Sequence, residues 1–200
     1  MKKNITKEQI VETALEIMRN KIDLRGMNLR EIARTLGCAH TNLYNYFPSY
    51  NDLLWETHIS IQKIFIAMLT KKLDMANTAE LRLIYFFEAF VEMYLDNKGW
   101  FWLSWHEYID GCRPQGDIEA TEATNKMLNQ QIAAIWKDNF GQYPNEERAK
   151  RVLHNTHCYI VGEISNYFLG RGLIESEVEL KAYITREAVS MFRVCLASGD

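Results

Sequence analysis

Proline is scarce in this chain, at three residues in 200, and uninterrupted apolar runs and closely spaced cysteines are missing altogether. With only Pro48, Pro114 and Pro144 present, long stretches lack the residue that most firmly breaks a helix. Nowhere do about 18 apolar residues run without a charge, so no membrane-spanning helix is expected. The opening MKKNITKEQIVETALEIM meets a charge every few residues and holds no apolar core, which argues against a secretory leader. Cys38, Cys112, Cys158 and Cys195 are far apart and form no CxxC pair, so reduced thiols and a cytoplasmic location are expected. A net charge of −3 excludes a globally basic nucleic-acid coat. Residues 1–60 nevertheless hold eight Lys and Arg against seven Asp and Glu, leaving 15 against 19 for the rest. HExxH, paired ExxH, GxSxG and glycine-rich phosphate loops are absent, so neither an enzyme nor a cofactor or metal requirement is expected.

What is present is apolar periodicity at helical spacing, and the fold expected is all-α with about nine helices. Ile10, Ala14, Ile17 and Met18 stripe a first helix that Thr6 can cap and that ends near Lys21. A short second helix starts at Asn28, with Glu31 placed for a capping box, buries Leu29, Ile32, Ala33 and Leu36, and stops at Gly37. Another short helix covers about 39–46. Longer segments follow over about 50–73, 78–97, 99–110, 117–139, 145–169 and 175–197, a small head followed by a larger helical body.

Two short helices joined at a glycine outline a helix-turn-helix, which lays its second helix in the major groove of DNA. The string EQIVETALEIMRNKIDLRGMNLREIARTLGCAHTNLYNYFPSYNDLL, residues 8–54, resembles the N-terminal DNA-binding domain of the TetR (tetracycline repressor) family. The resemblance rests on Ile32, Ala33, Leu36, Gly37, Leu43, Tyr44, Tyr46, Phe47, Leu53 and Leu54, and covers about a quarter of the chain. It implies a DNA-binding domain at 1–49 and a helical effector-binding and dimerisation domain at 50–200. Ile32, Ala33, Leu36, Leu43 and Phe47 suit a miniature core. His40, Thr41, Asn42, Asn45 and Tyr46 suit the solvent side of the recognition helix, where short polar or flat side chains reach base edges and phosphates. Asn28 and Arg30 open the preceding helix, where an N-terminus and a cation together favour a phosphate. The resemblance sets Tyr44 and Tyr46 against the DNA backbone or in the domain's own packing. Three positions depart from the family pattern. Ala39 replaces a frequent capping serine, Tyr50 stands where a phosphate-contacting lysine is common, and Asp23 replaces a turn glycine, which implies a left-handed backbone.

One short recognition helix buries too little surface to select an operator, so such heads work in pairs. The last two helices, with Val152, Tyr159, Ile160 and Tyr167 on one and Leu180, Ile184, Phe192 and Leu196 on the other, are the expected homodimer interface. The resemblance points the same way, to a four-helix bundle made by two subunits. The middle of the chain is dense in aromatics, most of all GWFWLSWHEY at 99–108. Phe90, Tyr94, Trp102, Trp105, His106, Met127, Gln131, His157 and Cys158 are the candidates for walls and polar anchors of an effector cavity, the alternative for each being plain core. His154, His157 and Cys158, with His106 or Cys112 nearby, form a weaker candidate metal cluster.

These expectations add up to a ligand-responsive transcriptional regulator. It would be a homodimeric repressor that binds a double-stranded DNA operator and releases it on meeting a small, largely apolar or aromatic effector, without a membrane. A DNA-binding regulator without an effector and a helical-bundle enzyme are the alternatives.

Overall fold

The computed structural model describes residues 5–24 and 26–197, with side chains as far as Val194, so Cys195 and Leu196 lie outside the described side chains. Among the described residues it is all-helical, with eight α-helices and one 3₁₀ helix. In chain order these are α1 (Lys7–Met18), α2 (Leu29–Leu36), the 3₁₀ helix (His40–Asn45), α3 (Tyr50–Asp74), α4 (Ala79–Leu95), α5 (Lys98–Trp105), α6 (Gln115–Phe140), α7 (Glu146–Phe168) and α8 (Glu177–Ala197).

Local chemistry sets most of the boundaries. Thr6 and Gln9 form a reciprocal capping box at the start of α1. Asn28 caps α2 by accepting from the backbone N–H groups of Arg30 and Glu31. The expected return bond from Glu31 is not made: its carboxylate takes the Lys21 ammonium at 2.8 Å, a charged partner stronger than a backbone amide. Gly37 ends α2 with φ of 70°, a left-handed turn that costs glycine nothing. Asp23 needs no such conformation, because no described non-glycine residue has positive φ. The segment after Gly37 is a 3₁₀ helix rather than an α-helix, with i→i+3 bonds from Asn42 to Ala39 and from Tyr46 to Leu43. Ala39 supplies no side-chain cap there. The aromatic helix ends earlier than its composition implies: the N–H groups of His106 and Glu107 both close on the Trp102 carbonyl.

The chain divides into two compact units, Met1–Ile64 with Asp96–Thr121, and Phe65–Leu95 with Glu122–Asp200. In the first, α1, α2 and the 3₁₀ helix pack around buried Ile10, Ala14, Met18, Ile32, Leu43 and Phe47. Helix α5 docks on α1. The Gly99 N–H donates to the Arg19 carbonyl, the Trp100 indole N–H donates to the Leu15 carbonyl at 2.8 Å, and Arg19 binds the Asn97 side chain while lying over the Trp100 ring. In the second unit α4 is the central element, packed by α8 and α7. Buried residues on several sides of α4, from Leu83 through Phe86, Phe87, Phe90, Val91 and Tyr94, account for its nearly continuous apolar composition.

Candidate nucleic-acid interface and sensor residues

In the head, the side chains that hold the 3₁₀ helix separate cleanly from those that face outward. Leu43 and Phe47 are buried, at 0% and 2% exposure, and anchor the 3₁₀ helix on α1 and α2. Thr41, Tyr44, Asn45 and Tyr46 are exposed, while His40 and Asn42 are half-buried. The Tyr46 hydroxyl donates to the Ile5 carbonyl, tying the recognition segment to the residues that precede α1. Tyr44 stands edge-on to His40.

An open depression of about 510 Å³ lies beside this segment, lined by Asn28, Leu29, Arg30, Tyr44, Pro48, Ser49 and Tyr50. Arg30 is exposed there at the start of α2. The Asn28 side-chain oxygen is occupied as the cap and its amide donates to the Gly26 carbonyl. The Tyr50 hydroxyl is buried and lacks a hydrogen-bond partner, and burial together with the nearby Glu107 and Glu31 charges pushes its pKa up. In this conformation Tyr50 offers the depression a ring and not a donor.

The candidate sensor residues are divided between the two units. Trp102, Trp105 and His106 belong to the first unit, and Phe90, Tyr94, Met127, Gln131, His157 and Cys158 to the second. Within the first, His106 stacks on Trp102 at 4.5 Å between ring centres. Burial pushes the His106 pKa down. Of the aromatic decapeptide, Trp100 and Phe101 are core, whereas Trp105 is 45% and Tyr108 82% exposed.

Within the second unit Phe90, Tyr94 and His157 come together. The Tyr94 hydroxyl lies 2.8 Å from His157 Nε2, the Phe90 and His157 rings are 5.1 Å apart, and Phe65 closes on Phe90 at 4.7 Å. Burial, and secondarily the nearby His154, pushes the His157 pKa down to about 4, so the ring is neutral. Gln131 accepts from the Arg82 guanidinium. Cys158 stands apart on the exposed side of α7, beside His154. The three-residue cluster of His154, His157 and Cys158 is therefore split by the packing of His157 on Tyr94, and among the described residues no group of three or more His, Cys, Asp or Glu side chains is placed to hold a metal.

One polar constellation escapes the sequence reading. Asp117, fully buried at the start of α6, takes His58 Nδ1 of α3 at 2.6 Å, Arg113 Nε at 2.6 Å and, more weakly, the Gln62 amide. Arg113 also donates to Thr121. The i,i+4 spacing of Arg113 and Asp117 is visible in the sequence; the partnership with His58, 59 residues away, is not.

An all-helical chain with a helix-turn-helix head and a second helical unit has the fold of the TetR-family transcriptional regulators. Solved structures of that kind align over almost the whole chain. A TetR-family regulator, PfmR of Thermus thermophilus, matches with a TM-score of 0.64 at 17% identity over 96% of this chain and 97% of its own. The regulator FadR of Bacillus subtilis, solved with stearoyl-CoA, matches with a TM-score of 0.69 at 15% identity over 93% and 99%. A Rhodococcus protein described as of unknown function matches with a TM-score of 0.74 at 16% identity over 95% of both chains. No protein-family model matches the sequence, and no curated protein matches it either.

Proposed function

We propose that this protein is a ligand-responsive transcriptional regulator, a homodimeric repressor that binds an operator through residues 1–49 and releases it when a small, largely apolar or aromatic effector binds residues 50–200. The observation that carries the reading is the head. A capped α2, a left-handed glycine turn and a short recognition segment bury Leu43 and Phe47 while turning Thr41, Tyr44, Asn45 and Tyr46 outward. Asn42 and Asn45 supply the donor–acceptor pairs that read adenine, Thr41 a methyl for thymine, and Arg30 a cation for the phosphate backbone.

The sensing half of the reading is supported by the second unit, where aromatic rings surround the neutral Tyr94–His157 pair, and by the acyl-CoA ligand of the Bacillus subtilis regulator. Neutral polar groups on an apolar wall suit an effector with a large apolar part. No helix among the described residues is long and apolar enough to cross a membrane.

Selection of bound fragments from random DNA, followed by quantitative binding to the selected site, tests the reading. The wild type should select a pseudo-palindrome, and Asn42→Ala with Tyr46→Ala should abolish specific retention while the protein stays folded. Undiminished binding by that folded double variant would remove the head from the mechanism. Screening for compounds that release the complex then separates an effector-controlled regulator from one without an effector.

A further inference from the structure

The outward face of α7 carries a pair of metal-type donors. His154 and Cys158 stand one turn apart and both are exposed, with His154 Nε2 3.6 Å from Cys158 Sγ. A tetrahedral zinc ion, bound at about 2.05 Å to imidazole nitrogen and about 2.3 Å to thiolate, holds those two atoms about 3.6 Å apart. The pair thus already has the edge length of such a site, and a regular helix holds it there. His157, the other candidate on this helix, is turned away onto Tyr94. Two donors are too few for a closed site, and among the described residues no third His, Cys, Asp or Glu completes one within the chain.

A second copy supplies an identical pair. The outermost stripe of α7 from Asn155 onward, with Cys158, Gly162 and Asn166, is exposed and uncharged, exposed Arg151 stands one turn before it, and a Cβ added at Gly162 would meet nothing within 4 Å. Another helix can therefore approach this stripe closely at Gly162, more than two turns past the Arg151 guanidinium. We propose that two copies of the chain together bind one thiophilic divalent cation, with His154 and Cys158 of each as its four ligands. The inference rests on the homodimer of the functional reading. Two imidazoles and two thiolates in tetrahedral geometry select zinc among common divalent ions. Each thiol loses its proton to the solvent as the ion binds, and the ion then ties the two copies together.

The test uses the full-length protein, reduced and stripped of metal, with cobalt(II) as the probe. Cobalt binding is read from thiolate-to-metal charge-transfer absorption and the visible bands of the tetrahedral ion, and zinc should displace it. Saturation is expected at about one cobalt per two chains. Cys158→Ser and His154→Ala should each weaken binding by more than about a hundredfold without loss of helicity. Light scattering on the same samples separates this inference from its premise. A dimer with no charge-transfer band overturns the metal site alone; a monomer that fails to bind overturns the dimer as well. Saturation at one cobalt per chain, or undiminished bands in Cys158→Ser, overturns the shared site.

Discussion

A side chain's charge in this protein is set by what covers it, and His157 is the clearest instance. Burial holds it neutral down to about pH 4, whereas an unfolded histidine titrates near 6.5. Between those values the unfolded chain binds a proton that the folded chain refuses. The stabilising contribution is therefore complete above about pH 6.5 and falls as pH drops towards 4, by about 2 kcal/mol at pH 5. Thermal melts of the wild type and His157→Gln at pH 7 and pH 5 check this: the wild type should lose several degrees more on acidification. Equal losses would place a proton on His157 in the folded state. Tyr46 poses a different question, because its hydroxyl is taken by the Ile5 carbonyl. Tyr46→Phe should cost about 1 kcal/mol of stability, seen as a fall of about 2–4 °C in Tm.

At the scale of elements, two contacts fix α5 and the start of α6 within the first unit. Gly99 sits where α5 meets the end of α1, and a Cβ there would run into the Met18 carbonyl oxygen and lie 2.8 Å from that of Lys21. Backbone cannot yield as a flexible side chain would. Gly99→Ala should therefore destabilise by about 1–3 kcal/mol or undock α5, with Trp100 fluorescence shifting to the red. An unchanged spectrum and Tm would mean that the junction has slack. Asp117 fastens α6 to α3 through His58 and Gln62. Asp117→Ala takes the carboxylate from half-exposed Arg113 and from His58 and should cost about 1–3 kcal/mol in chemical denaturation, while Asp117→Asn, which keeps the volume and one acceptor, should cost less. The sequence makes the elements themselves legible, because the Thr6 and Asn28 caps, the Gly37 turn and the apolar spacing all act within a few residues. It does not decide which kind of helix forms over His40–Asn45, since six residues with no cap can close i→i+3 bonds as readily as i→i+4.

For the molecule as a whole, the proposed function makes DNA affinity an electrostatic quantity despite a net charge of −3. Operator affinity measured between about 50 and 200 mM salt should fall steeply, log affinity declining linearly with log salt, and Arg30→Ala should shallow that slope by about one. A flat salt dependence would leave the head without phosphate contacts. Effector and operator must then oppose each other in the same measurement, because linkage between the two sites is reciprocal.

GWFWLSWHEY separates what the residues alone determine from what the fold decides. Composition and spacing alone determine that this stretch starts as helix, that no described helix beside it is long and apolar enough to cross a membrane and that the described chain around it is all-α, since those are properties of neighbours in sequence. Which face of each ring is covered depends on partners far along the chain. Trp100 is core because its indole N–H reaches the Leu15 carbonyl, 85 residues away, and Phe101 is buried beside it. Trp105 and Tyr108, with the same chemistry and almost the same local context, remain exposed. The same holds for α7, where His157 and Cys158 are adjacent in sequence yet one is half-buried against Tyr94 and the other stands in the open. A helix turns successive side chains through about 100°, so only the packing of the other helices decides which of them is covered and which is left to meet a partner.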